Sequence, residues 1–566
     1  MMKKTIPLLF SPFLLLTSCV YMGVPTEDPS CEISVSAGGN AKAYKDGKLL
    51  GEVSSSSPLV LKNLTFCDSF TLQVNTFEGY EFLNVMLNDY PLESNNQYFE
   101  IPIEYMENKV SVSFKFIETL TDDFTYALND ETKEATVTHY STLNMPTPVV
   151  IPSEVSKNGS TYSVTSIASS AFVNFEGTKL SLPSTIKHID EASFNSAYNL
   201  TSFIVDENNE YFSSKDGILF NKDMTRLVST PIQHDAKTYT IPSSVKEIAP
   251  YAFYINRTIE HVNFVNVEKI GGYAFYNSSA LKEFTAPSSL LSIGEYAFYQ
   301  NTNLATITFN DKLETISDSS FYGLLKIRSL TFPSSLKTIG PNAFFKCDRL
   351  ANISFNEGLE EIGTTAFSNL TSITSITLPS TIKKVGNSAF SACDHLEEVI
   401  FEEGLEEIGN YSFALCSSIA SIKLPKSLKR IGSNPFYAIL KLKENNFSIE
   451  EGNENFVIEN GVLYDIGETK LICYPYGLDE EEFSIPSTVT TLANQSFRLV
   501  NNLKTLNMPK SVTRMDECFY GVTSSLNINY EGTVTEFEAI NKTGTNGYTY
   551  DQDAYRLSIT CSDGNI

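Results

Sequence analysis

The residues that could do chemistry are few in this chain and thinly spread. Its 566 residues include five histidines, His139, His188, His234, His261 and His395, and none stands at metal-ligand or triad spacing from another. Cys393, Asp394 and His395 are consecutive and of metal-ligating types, but the run leads into Leu396 and reads as a surface turn. Asp206, Asn208 and Glu210 alternate like part of a calcium loop. The glycine and distal glutamate of such a loop are missing, so a hairpin edge is expected instead. The chain has no phosphate loop, nucleophile elbow or paired-carboxylate motif. These residues imply no enzyme, no metal site and no cofactor, and turn attention from a reaction centre to surfaces.

What must position any surface here is a repeat. A small residue followed by phenylalanine recurs at Phe253, Phe275, Phe298, Phe321, Phe344, Phe367, Phe390, Phe413 and Phe436; the first step is 22 residues and the next seven are 23. Between these pairs lie strings such as Leu-Pro-Ser-Thr-Ile-Lys-Lys-Val-Gly (378–386) and Leu-Pro-Lys-Ser-Leu-Lys-Arg-Ile-Gly (424–432). A period of this size is that of a solenoid, in which stacked turns build one continuous core from equivalent positions. Ile376 and Leu378 lie two apart and share one face of a strand, which Pro379 ends. Ile382 and Val385 mark a second extended piece, and Gly386 lets the chain turn back. One coil is therefore read as strand, corner, second strand and a short helical turn around Ala–Phe.

These strings resemble the BspA-like, or treponemal-type, leucine-rich repeat, with Ala–Phe, often a Cys three residues later, then Leu-x-x-Ile-x-Leu-Pro and Ile–Gly. Cys347, Cys393 and Cys416 fall at that Cys position. The resemblance covers about two-thirds of the chain. It implies a β-rich leucine-rich-repeat solenoid, and a surface adhesin that binds host or neighbouring-cell macromolecules.

In chain order, a positive start and a short apolar run read as a signal peptide over 1–18, too short to span a membrane as a helix. Leu16-Thr17-Ser18-Cys19 resembles a bacterial lipobox, which would make Cys19 the lipidated first residue of a tether over 19–30; the other reading is an ordinary signal peptide. Residues 31–118 show strand alternation and form a small all-β domain, in which Cys31 and Cys67 could pair. A hairpin within 119–165 caps the solenoid, which runs over 166–530. Two inserts near 203–240 and 447–485 interrupt the period and align at a constant offset of 244, Asp216-Gly217 matching Asn460-Gly461 as hairpin turns. Residues 531–566 resemble the family's C-terminal closing strand.

The net charge of −26 and pI near 4.7 exclude nucleic acid and anionic membrane surfaces as partners, leaving the lipid anchor as the only membrane contact. Two repeating surface features follow from the register. Thr285, Thr308, Thr331, Ser354 and Thr377 should form one outward row on a parallel sheet, with Thr306 and Asn352 beside it. Such a hydroxyl-rich face suits an extended protein or glycan, neutral or basic; threonine also simply suits a solvent-facing strand. Glu360-Glu361, Lys383-Lys384, Glu406-Glu407 and Lys429-Arg430 should stack as alternating charges with a 46-residue superperiod. The functional reading is a lipid-anchored cell-surface binding protein. The rivals are a structural coat or spacer without a dedicated ligand, and a glycan-binding accessory protein led by 31–118.

Overall fold

Each coil repeats three pieces in the computed structural model, which describes residues 123–543 and 557–566 except 142–146, 158–159, 501 and 523–524, together with most strands between 30 and 118. The first piece is a short strand such as Thr306–Thr308, whose central Ile307 is buried while both threonines face solvent. The second is a two-residue strand such as Thr315–Ile316, which pairs in parallel with Thr338–Ile339 of the next coil. These second strands run without a break in one sheet of 12 strands, from the hairpin strand Phe212–Lys215 to Arg430–Ile431.

The third piece, around Ala–Phe, is not the expected helical turn. The N–H groups of Tyr251, Phe253 and Ile255 donate to Gly272, Ala274 and Tyr276 carbonyls of the next coil, at 3.2, 2.6 and 2.8 Å. The N–H groups between them, of Ala252 and Tyr254, bond back three residues within their own coil. A helix would send every N–H back along its own axis. Here every second one joins the neighbouring coil, so the arc becomes a third ladder along the solenoid. The path requires left-handed backbone on both sides of the pair, as at Tyr273 (φ 58°) and Asn277 (φ 49°). Such a residue costs roughly 1–2 kcal/mol, offset by the inter-coil bonds and by the rings beneath.

Those rings form the core. Phe275, Phe298, Phe321, Phe344, Phe367, Phe390 and Phe413 stack in sequence with centroids 5.0 to 5.4 Å apart and ring planes within 10°. Close stacking also explains the glycine of the repeat. A Cβ on Gly386 would lie 2.7 Å from the Gly363 carbonyl carbon, so glycine is there for coil-to-coil approach more than for a left-handed turn.

Successive coils alternate in a way that the superperiod foreshadowed. Coils with proline after the first strand carry a hydroxyl two residues on, which donates to a carbonyl of the coil before: Ser289 to Val267, Ser335 to Leu313 and Thr381 to Leu359, each 2.8 Å. The coils between carry Asn310 or Asn356, whose side-chain amides donate to carbonyls of the proline coil before them. First strands pair two by two, a proline coil with the following coil, as in Glu283–Thr285 with Thr306–Thr308 and Ser329–Thr331 with Asn352–Ser354.

Each insert starts a new stretch of second-strand sheet. A hairpin at Phe124–Asn129 and Glu134–Tyr140 begins the first stretch, one at Phe212–Lys215 and Ile218–Asn221 the second, and one at Phe456–Glu459 and Val462–Asp465 the third. The buried residues fall into three clusters with nearly the same boundaries. Leu557–Cys561 continues the first-strand sheet beyond Leu526–Tyr530 and turns back into Gly564–Asn565. A short helix, Val534–Glu538, lies between, capped by Thr533 and Glu536. Between 30 and 118 the strands pair into a sheet of five around Ser30–Val35 and Lys109–Glu118, and one of four around Gly39–Lys45 and Ser69–Thr76.

Candidate binding surface

The first strands place the hydroxyl face. Thr285, Thr306, Thr308, Thr331, Asn352, Ser354 and Thr377 are all exposed, because each flanks a central residue that points into the core. Thr285 pairs in register with Thr308, Thr331 with Ser354, and Thr377 with the exposed Ile400. The row is thus three rungs of two rather than one unbroken sheet, since among the described residues no ladder joins Thr308 to Thr331 or Ser354 to Thr377. Charged pairs lie at one end of the face, with His261 Nδ1 2.8 Å from Glu283 and Lys282 bonded to Glu260.

The second strands place the charges. Glu361, Lys384, Glu407 and Arg430 are consecutive partners in the long sheet. Lys384 lies 2.7 Å from Glu361, Arg430 2.6 Å from Glu407, Lys429 3.1 Å from Glu406 and Lys337 3.5 Å from Glu360. A hydrogen bond from Lys429 holds the Glu406 carboxyl below its usual range, with Lys383 and Arg430 adding to the effect. The alternation read from the sequence therefore runs along the ladder as an electrostatic seam, although among the described residues no direct ion pair joins Lys383–Lys384 to Glu406–Glu407.

The chemistry-bearing residues are used structurally. Cys393 points inward while Asp394 and His395 are exposed, so the three do not converge. Cys347, Cys393 and Cys416 are free thiols, each donating to the carbonyl of Phe321, Phe367 or Phe390 in the coil before, at 3.4, 3.3 and 3.1 Å. Burial pushes the Cys347 thiol up to about 12, which keeps it protonated as a donor. Ser278 bonds the same way to Phe253 and Asn301 to Phe275, so the position calls for a small donor and not for a thiol. Asp206 closes a local turn by accepting from the Asn208 backbone and amide.

The residue that matters in that insert is the next one, Asn209, which is buried. Its amide donates to the Pro183 and Ile186 carbonyls, and its oxygen accepts from Tyr211 and Phe212 N–H. Asn310 makes the equivalent bonds to Pro287, Leu290, Lys312 and Leu313, and Asn453 those to Pro425, Leu428, Asn455 and Phe456. An asparagine 23 to 28 residues after the prolines Pro183, Pro287 and Pro425 was the available signal. Cys19 and the leader lie outside the described residues, as do Cys67 and the side chain of Cys31.

The model of the BspA type leucine rich repeat region matches residues 155–226, 233–351, 337–456 and 473–541, more than half of the chain. The chain belongs to the BspA-type leucine-rich-repeat family. Leucine-rich repeats of this kind serve as binding or structural scaffolds. Among curated proteins none matches. Similar solved structures include a leucine-rich repeat protein of Bacteroides ovatus, 20% identical over 78% of this chain and 100% of that one, TM-score 0.40. A leucine rich cell surface protein of Faecalibacterium prausnitzii is 20% identical over 75% and 98%, TM-score 0.37. One from Eubacterium ventriosum is 22% identical over 48% of this chain, TM-score 0.34; the match spans 61% of that protein. The matched segments cover the hairpin of the first insert and leave out residues 457–472 of the second.

Proposed function

We propose that this BspA-type protein is exported, held at the bacterial cell surface through Cys19, and binds an extended protein or glycan along its first-strand face. The observation that supports this best is the set of exposed hydroxyl and amide side chains from Thr285 to Thr377, spaced by a rigid stack of coils. Extended repeat surfaces are used in this way for binding. Adjacent parallel strands lie about 4.8 Å apart, so five successive coils would offer contacts over roughly 20 Å. The hydroxyls can hydrogen-bond and their methyls pack without a charge match. The −26 net charge favours a neutral or basic partner.

Changing Thr308, Thr331 and Thr377 together to Glu should leave the fold intact, because all three side chains face solvent, and should weaken adhesion to cells or matrix. Unchanged adhesion by the folded triple variant would remove the binding role from this face and favour a spacer. Anchoring is tested separately. Fatty-acid labelling should mark the wild type and not Cys19→Ala; equal labelling of both would exclude the anchor.

A further inference from the structure

The two inserts are internal copies, and their differences point to a site. Both carry a hairpin and the buried asparagine corner, Asn209 in the first and Asn453 in the second. In the first, the hairpin is tied to the preceding strand Ser202–Val205. Phe203 N–H donates to the Gly217 carbonyl at 2.8 Å, and Val205 N–H to Ser214 Oγ at 3.2 Å. The Lys222 ammonium crosses the gap to the carbonyls of Glu207, at 3.2 Å, and Asn209.

In the second insert, at the 244-residue offset, Ser214 becomes Ile458 and Lys222 becomes Ile466. Neither isoleucine side chain can make the bonds that close the first copy. Among the described residues no bond joins Phe447 to Gly461 in the way that Phe203 joins Gly217. A cleft of about 360 Å³ opens here. Phe447 and Phe456 form its floor, and Ile449, Val457, Ile458 and Ile466 its walls. Ile466 is 54% exposed, a large apolar side chain held in solvent at the rim. Glu451 on its lining is exposed, Glu450 is bonded to Lys423 at 2.6 Å, and the exposed Glu454 and Glu459 adjoin the lining segments in sequence.

Among the described residues Phe456–Glu459 is also the edge strand of its sheet. Glu459 pairs with Val462 across the two-residue turn, so Ile458, one residue back, directs its N–H and C=O away from its partner strand. We propose that this cleft binds an extended, basic protein segment, which adds as a strand along Phe456–Glu459 and seats one large apolar side chain against Ile449 and Ile458, with Ile466 lining the rim. The backbone edge supplies register, the apolar walls a pocket for one side chain, and the three glutamates attraction for Lys or Arg. The site is separate from the hydroxyl face and stands whether or not that face binds.

The test uses the whole mature chain and an acetylated, amidated heptapeptide of alternating lysine with valine, phenylalanine and valine. Fluorescence anisotropy should show binding by the wild type that weakens with added salt. The same peptide with glutamate for lysine should bind at least about tenfold more weakly. Ile458→Ser with Ile466→Lys, which rebuilds the first insert's side chains in the second, should lose at least about tenfold in affinity, as expected for a lost side-chain pocket. If that double variant does not fold, Ile466→Lys alone decides, since the residue is exposed. No binding by the wild type, equal binding by the variants, or equal binding of the glutamate peptide would overturn the proposal. So would self-association of the wild type that Ile466→Lys abolishes without any peptide binding, which would make the occupant a second copy of the chain.

Discussion

The middle stretch of the solenoid and the joint at the second insert are held together by different means. Between Phe275 and Phe413 the ring of each coil repeats the stacking contact of the last, with planes within 10°. At Phe436 the stack loosens to 6.3 Å and 21°, and the long sheet ends at Arg430–Ile431. Beyond the insert Tyr474 takes up the ring position against Phe497 at 5.3 Å. The joint is crossed by residues that occur once. Arg498, buried, lies 4.2 Å from the Tyr437 ring centroid, 5.0 Å from that of Tyr520 and 5.5 Å from that of Tyr411. It donates to Gln495 Oε1 at 2.6 Å, an oxygen that also accepts from Tyr411, while Asn434 donates to the Gln495 carbonyl at 2.6 Å. Periodicity can specify a core by repetition. Where the period breaks, individual polar residues must specify the fit.

The largest expected effect lies in the stack. Phe344 is fully buried between Phe321 and Phe367, at 5.3 and 5.4 Å. Phe344→Ala should destabilise the middle stretch by about 3–5 kcal/mol, read as lost hydrogen-exchange protection in the flanking coils. Phe436→Ala, beside the joint, should cost less, because its stack is already loose. An equal or larger loss at Phe436 would break the distinction between periodic core and joint.

That distinction also sets what the sequence reveals. The 23-residue spacing of Phe253 to Phe436 was legible because a stacked core demands the same residue in every coil. The seam from Glu360 to Arg430 was legible for the same reason, as was the exposure of Thr285 to Thr377. The arc at Ala–Phe was misread as helical. Its geometry depends on N–H groups bonding to another coil, and side-chain types such as Tyr273 and Asn277 do not report φ. The corner role of Asn209 was hidden by its neighbours Asp206, Asn208 and Glu210, which read only as an incomplete calcium loop and a hairpin edge, and Asn453 carried no separate signal. The cleft beside Ile458 was not legible at all. It exists only as a difference between two aligned inserts once their hydrogen bonds are known.

The next effect is at the joint. Arg498→Met keeps length and apolar bulk but removes the cation from the three tyrosine rings and the donor from Gln495. The expected cost is about 1–3 kcal/mol, the usual range for a buried polar partner left short of a bond. Exchange should quicken across Thr491–Leu492 and Arg514–Asp516, the strands after the joint, and stay unchanged at Thr315–Ile316. Arg498→Lys should restore only part, since an ammonium does not lie flat against rings as a guanidinium does. Loss of protection through the middle stretch as well would mean that the joint does not separate two cooperative units.

The smallest effect belongs to the surface seam, and it tests whether periodicity also matters outside the core. Lys383→Glu with Lys384→Glu would set three acidic coils side by side, because Glu361, position 384 and Glu407 are ladder partners. Each exposed pair contributes little alone, but these share neighbours along the axis. The double variant should melt a few degrees lower, and about 1 M salt should restore most of the difference, since screening then acts within about 3 Å. The pH dependence has a definite sign. Glu406 has its folded carboxyl lowered by Lys429 first, with Lys383 adding, so its contribution is present above the usual carboxylate range and lost as pH falls through the lowered value. In the variant the added glutamates repel only while ionised, so the gap to wild type should close on acidification. Lys504→Glu, which breaks the single pair with Glu481 beyond the joint, should shift melting less than the seam variant. Equal shifts would show that the seam acts as separate pairs, and that its periodic order adds no stability.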